Sequence, residues 1–346
     1  MHLVCFLFLL LLIQHVLPSK AEIELSPPQS NDEELVVLSI SSLPTDDVIH
    51  QYKPATTTSV NIPPAHPHLR RATRDTEDEP DPRIVGGSDA ELGAYPHMVA
   101  ALYRRKYFFC GGTLVARNVV LLAGHCSNYI DRVLIGRQDL SVRDETEELF
   151  DIVEIARHPE FEWDNPPRND YVLARLSGSS TRKPISLDDG SIIEKFAPNQ
   201  ELVMLGWGQT SRPGPPLSYK LQEGRIDYVT NDDCTTNFWG GDKISDEMVC
   251  GYREGVSGCL GDSGGPLLWN REDDPVIVGV LSWGARKCSG YATVFAGVGN
   301  QASWIISTVN AWSMGEACIS YTNKDICQQD TFCTWNIDNS GCISAY

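Results

Sequence analysis

Hydrophobic and polar positions change their pattern several times along the chain. Leu3 to Ile13 form one uninterrupted apolar run, followed by the small residues Ser19 and Ala21. Such a run is too short to cross a bilayer, and the small residues suit a cleavage site. The pattern predicts a signal peptide over residues 1–21, although His2 is the sole basic residue ahead of the run. Residues 22–83 are rich in Pro, Ser, Thr and acids and contain no cysteine. Chain of this kind cannot bury enough apolar surface to order itself. Its one apolar patch, Leu35-Val36-Val37-Leu38-Ser39-Ile40, could form a strand or dock on a partner. From Ile84 to Asn310, short β-branched or aromatic runs alternate with Gly, Pro, Asn and Asp, which predicts an all-β domain. About 230 residues are ample for a barrel architecture. A short linker at 311–317 leads to a tail, 318–346, with cysteines at 318, 327, 333 and 342.

The cysteines add a compartment. Of eleven, Cys5 lies in the signal peptide, and the other ten can pair completely. An even set in a secreted chain reads as a disulfide framework. Two internal bridges would staple the tail, which is too small to hold a core otherwise. Its four cysteines allow three pairings, and the spacing does not choose among them. The net charge of −18 disfavours nucleic acid and anionic membranes as partners. No segment after the first is long and apolar enough to span a membrane.

The candidate chemistry centres on Cys259-Leu260-Gly261-Asp262-Ser263-Gly264-Gly265-Pro266. Glycines flanking a serine let the backbone bend sharply and bring its N–H groups close to a substrate. A serine hydroxyl is a weak nucleophile until a base takes its proton. Ala123-Gly124-His125-Cys126 offers the base, and Asn169-Asp170-Tyr171-Val172-Leu173 offers an acid to orient it. With these residues in the order His, Asp, Ser, the sequence resembles the chymotrypsin/trypsin-like serine proteases. The resemblance runs from Arg83 to about Asn310 and includes Arg83-Ile84-Val85-Gly86-Gly87, Cys110-Gly111-Gly112-Thr113-Leu114, Gly206-Trp207-Gly208 and Ser282-Trp283-Gly284. It implies two antiparallel six-stranded β-barrels with a C-terminal helix containing Trp304-Ile305, and the active site in the cleft between the barrels. It implies His125, Asp170 and Ser263 as catalytic residues, with the backbone N–H groups of Gly261 and Ser263 as the oxyanion hole. It also implies the bridges Cys110–Cys126, Cys234–Cys250 and Cys259–Cys288. Leu202 and Trp269 stand where another family bridge would be. Two departures flank the catalytic residues: Gly124 where alanine is usual, and Tyr171 opening Tyr-Val-Leu-Ala-Arg-Leu where Ile-Ala-Leu-Leu-Lys-Leu is commoner.

The same resemblance makes residues 22–83 a propeptide, released by cleavage between Arg83 and Ile84, after which Asp262 pairs with the new α-ammonium. It assigns a specificity pocket to Ser257, Gly258, Leu260, Ser282, Trp283, Gly284 and Thr293. An uncharged Ser257 at the pocket base offers no counter-ion to a buried Lys or Arg. Thr293 should shorten the pocket, favouring small to medium apolar residues before the cut bond, as in elastases. Competing readings are cleavage after Phe, Tyr or Leu, or a secreted protein that only binds. Because Arg83 does not suit such a pocket, activation calls for a trypsin-like protease acting in trans. The expected partners are protein or peptide substrates, this activator and protein inhibitors, acting on a monomer. No cofactor is expected, and no metal, since Arg137 stands where a calcium loop would need its first carboxylate.

Overall fold

The computed structural model describes residues 36–37, 84–209, 217–269, 274–314, 318, 321, 323–328, 333–337 and 340–344. Residues 1–21, expected from the sequence to be a signal peptide, and all of residues 22–83 except Val36 and Val37 lie outside them, Arg83 included.

In chain order the first strands are β1 (Val36–Val37), β2 (Ser88–Asp89), β3 (Met98–Tyr103), β4 (Tyr107–Ala116), β5 (Val119–Leu122), β6 (Arg132–Ile135), β7 (Glu148–Arg157) and β8 (Val172–Leu176). Strands β4-β3-β6-β7-β8-β5 are neighbours in that order, and a β4–β5 pairing closes them into a barrel. Every residue of β5 is buried, so its Val-Val-Leu-Leu run fills the barrel interior. The apolar patch seen in the N-terminal segment supplies β1, which pairs in parallel with β4 at Tyr107 and Phe108.

The chain continues through β9 (Ser186–Leu187), β10 (Glu201–Gly206), β11 (Gln222–Val229), a single helical turn α1 (Asn231–Cys234), β12 (Met248–Tyr252), β13 (Pro266–Trp269), β14 (Val276–Trp283) and β15 (Thr293–Gly297). Here β10-β13-β14-β15-β12-β11 form the second barrel, closed by β10–β11. The fold is therefore all-β with two closed six-stranded antiparallel barrels. Leu202 and Trp269 lie one step beyond the Val203–Leu268 pair of β10 and β13 and join the same apolar cluster. Packing fills the position where a disulfide was missing.

Helix α2 (Ala302–Ser313) buries Ile305, Ile306 and Val309 in the large apolar cluster, next to β4, β5 and β8, and ends on a left-handed Met314. Asn118 Nδ2 donates to Trp312 O at 2.9 Å, fastening the helix to that barrel. The tail adds α3 (Lys324–Cys327) and a hairpin of β16 (Cys333–Asn336) and β17 (Gly341–Ser344). Its bridges are Cys318–Cys333 and Cys327–Cys342. The tail does not stand apart: its cysteines and Tyr321 belong to the cluster that contains α2, and Asn310 Nδ2 donates to Cys333 Sγ at 3.3 Å. So small a piece gains apolar burial only by leaning on a larger core.

Candidate active site

His125 sits in one tight turn, Gly124–Cys126, directly after β5. The Cys110–Cys126 bridge ties that turn to β4. Asp170 stands just ahead of β8, after Asn169 in a left-handed conformation (φ 48°). Its carboxylate is 1% exposed and accepts three hydrogen bonds. The His125 backbone N–H reaches Oδ1 at 2.8 Å, and His125 Nδ1 and Ser282 Oγ reach Oδ2 at 2.8 Å and 2.5 Å. An ionised carboxylate only accepts, so Nδ1 carries the imidazole proton and Nε2 keeps its lone pair. Burial opposes a charged His125, but the Asp170 charge and hydrogen bond outweigh it and hold the imidazole above its ordinary value. Burial likewise opposes a charged Asp170, and the His125 charge together with the bonds from His125 and Ser282 brings its carboxyl below the usual range.

Ser263 comes from the second barrel, yet its segment lies against the first. Gly111 N donates to Ser263 O at 2.8 Å. A Cβ at Gly264 would overlap Gly111 O and stand 3.3 Å from Ala123 N, beside the His125 turn. Only glycine allows this approach. Gly261 holds φ 95°, in the left-handed region. Among the described residues, neither Gly261 nor Ser263 donates its N–H to another backbone or side-chain group. Two uncommitted amides beside a nucleophile can receive a developing oxyanion.

Asp262 is fully buried and accepts from Gly208 N at 2.7 Å and Cys259 N at 2.9 Å. Burial outweighs these bonds and lifts its carboxyl to about 7. Ile84 is 1% exposed within the second barrel's cluster. The next residue pairs with the pocket segment, Ser257 N donating to Val85 O at 3.1 Å.

Of the residues assigned to the pocket, Ser257, Gly258 and Thr293 meet. Thr293 Oγ1 accepts from Gly258 N at 3.2 Å and lies 3.4 Å from Ser257 Oγ. Thr293 thus packs directly on Ser257 and Gly258, while nothing within 4 Å would meet a Cβ at Gly284. The Cys259–Cys288 bridge closes the segment that carries Leu260. Cys234–Cys250 lies apart, joining α1 to β12. Ser282, read from sequence as a pocket residue, turns its hydroxyl to Asp170. Two aromatic residues had no motif to mark them. The Trp163 ring lies 5.8 Å from the His125 ring, and the Trp239 ring lies 4.6 Å from the Trp283 ring.

No described group suits a metal ion at this site. Cys110, His125 and Cys126 are close, but the disulfide occupies both sulfurs. In the acid-rich loop before β7, Arg137 is itself the cation, with Nε 2.6 Å from Glu147 Oε2.

A family model described as Trypsin matches residues 84–305. The chain is 34% identical over 251 residues to "Chymotrypsin-like elastase family member 1" of Homo sapiens, covering 68% of this chain and 96% of that protein. It is 33% identical to the protein of the same name from Rattus norvegicus, covering 68% and 93%. The two barrels and these relatives define a serine endopeptidase, a hydrolase of peptide bonds. The chain belongs to the trypsin family.

Asp262 generates a prediction about stability. Its folded value of about 7 exceeds the ordinary carboxylate value of 3.8, so the folded state binds this proton more tightly than the unfolded one. That contribution is complete below the unfolded value and is lost as pH rises through 7. For the uncleaved chain, Asp262→Asn should reduce the fall in Tm between pH 5 and pH 8. An unchanged fall, read by calorimetry, would contradict the assignment.

Proposed function

We propose that this chain is the precursor of a secreted serine endopeptidase in which His125, Asp170 and Ser263 perform acyl transfer. The observation that carries the reading is the buried Asp170 carboxylate holding His125 Nδ1 at 2.8 Å, with the Ser263 segment bonded to Gly111 nearby. Ser263 Oγ attacks a peptide carbonyl while His125 Nε2 takes its proton. The oxyanion is received by the N–H groups of Gly261 and Ser263, and one such donor is worth about 2.7–4 kcal/mol in the transition state. His125 then protonates the leaving amine. Water repeats the sequence and releases the acyl group.

The precursor has a signal peptide at 1–21, a propeptide at 22–83, a protease domain at 84–310 and a Cys-rich module at 318–346. Ten cysteines joined as five bridges support secretion. A trypsin-like protease cleaves Arg83–Ile84, and the new α-ammonium pairs with Asp262. The raised Asp262 carboxyl supports this switch, because a buried acid without a cation favours receiving one. The active form is a monomer that takes protein or peptide substrates, is held by protein inhibitors and needs no cofactor.

Specificity follows from the pocket. Ser257 supplies no charge, and Thr293 over Gly258 limits depth. The enzyme therefore prefers Ala, Val or Leu before the scissile bond, in keeping with its elastase-named relatives. The open Gly284 wall favours a second reading, in which Phe and Tyr also enter.

A peptide-anilide panel on protein cleaved after Arg83 tests both readings. Turnover on Ala, Val or Leu, abolished by Ser263→Ala, is expected. Thr293→Gly should move the preference toward Phe by about tenfold or more. Preference for Phe in the unaltered enzyme would reject the short pocket, and stable binding without turnover would reject the protease.

The base form of His125 is the neutral one, and Asp170 raises its pKa above the ordinary 6.5. Log kcat/KM should therefore fall as pH drops, with its midpoint above 6.5. Ser282→Ala removes a hydrogen bond that helps keep Asp170 ionised. This variant should lower kcat, read in the same pH titration.

A further inference from the structure

Three consecutive residues of the first barrel's side each reach the second barrel or the segment that follows it. Asn169 Oδ1 accepts from Gln301 Nε2 at 3.2 Å, just before α2. Asp170 accepts from Ser282, at the end of β14. Tyr171, 0% exposed, points its hydroxyl at Gly297 O (2.9 Å) and Glu247 O (3.1 Å). These carbonyls lie where β12 and β15 meet, and Gly297 N also donates to Glu247 O at 2.8 Å. One hydroxyl proton is thus shared between two backbone oxygens.

The main chain of Tyr171 faces the other way. Tyr171 O accepts from His158 N at 3.1 Å. A Cβ at Gly124 would lie 3.1 Å from Tyr171 O and 2.9 Å from Phe161 Cδ2. The two departures that flank the catalytic residues in sequence are therefore neighbours in space. Gly124 makes room for the Tyr171 peptide and the Phe161 ring beside the His125 turn. Isoleucine, the commoner residue at this place, has no hydroxyl to give.

We propose that Tyr171 is a positioning residue, whose hydroxyl latches the Asp170–His125 side of the cleft to the barrel that carries Ser263. The proposal rests on the catalytic reading above. Proton transfer needs the imidazole and the serine hydroxyl within about 2.6–3.2 Å. Those groups come from different barrels, so the relative placement of the barrels sets that distance. Ser282 holds one point, and Tyr171 holds a second beside it against rotation about the first. A misplacement of about 1 Å can cost on the order of 100-fold in rate.

The test uses cleaved protein carrying Tyr171→Phe, which keeps the ring and removes the oxygen. Tyr171→Ile is the second variant. Tyr95→Phe is the control, since its hydroxyl bonds Glu223 at 2.8 Å in a different part of the molecule. Two quantities are measured well below each Tm: kcat and KM on the best anilide, and the rate of Ser263 labelling by a phosphonofluoridate. Loss of the latch should lower kcat and labelling by about tenfold in both Tyr171 variants, with KM within about twofold. Tyr95→Phe should leave kcat unchanged. Unaltered kcat and labelling in Tyr171→Phe, even with a lower Tm, would make the hydroxyl merely structural and overturn the proposal. Failure of the catalytic reading is separately visible, because the unsubstituted protein would then show no Ser263-dependent turnover, and the latch would fall with it.

Discussion

The buried Asp170 carboxylate is the constraint on which the rest of the structure depends. A charge taken out of water is costly unless hydrogen bonds replace its hydration. Asp170 has three such bonds, from the His125 backbone, the His125 ring and Ser282. Two partners lie in a turn pinned by a disulfide, and the third lies at the end of a strand in the other barrel. Satisfying one carboxylate therefore requires both barrels to be closed and correctly apposed. The same requirement brings the Gly111 edge of β4 against the Ser263 segment. Close packing of the barrel interiors keeps this arrangement from relaxing.

Asp262 is as deeply buried and behaves oppositely. Asp170 is held below the usual carboxylate range beside an imidazole, whereas Asp262, with two backbone donors among the described residues, is lifted to about 7. Residue type and burial are shared, and the His125 charge with the bonds from His125 and Ser282 makes the difference. One site is complete in the uncleaved chain, and the other is left short of a positive charge. Such a shortage at the turn carrying Gly261 and Ser263 supports the proposed activation by a newly exposed amine.

The pocket and the N-terminal segment of the protease region are also mechanically joined. Val85 pairs with Ser257, and Gly258, in the proposed pocket, donates its N–H to Thr293. A change in the path of the chain at Ile84 would be passed through one bridge to the pocket base. The Thr293 hydroxyl accepts from the Gly258 N–H, so the side chain proposed above to limit the substrate is itself well held.

The chain order of His125, Asp170 and Ser263, the glycines around the serine, the cysteine count and the short apolar runs were all legible as sequence. They reflect local requirements: a sharp bend needs glycine, a strand needs alternating or buried β-branched residues, and a nucleophile needs a base. The identity of Gly124 and Tyr171 was equally visible, but not what they were for. Ser282 was legible as a pocket residue and not as a partner of Asp170. Trp163, in a loop with no motif, gave no sign that its ring would lie by His125. The tail's cysteines offered three pairings, and the structure has Cys318–Cys333 with Cys327–Cys342, packed on α2. These features rest on partners remote in the chain, Asp170 and Ser282 being 112 residues apart and Tyr171 and Gly297 126 apart. Local sequence determined which chemical groups this protein owns. Only closure of two barrels decided which of them meet, because a hydrogen bond depends on distance in space and not along the chain.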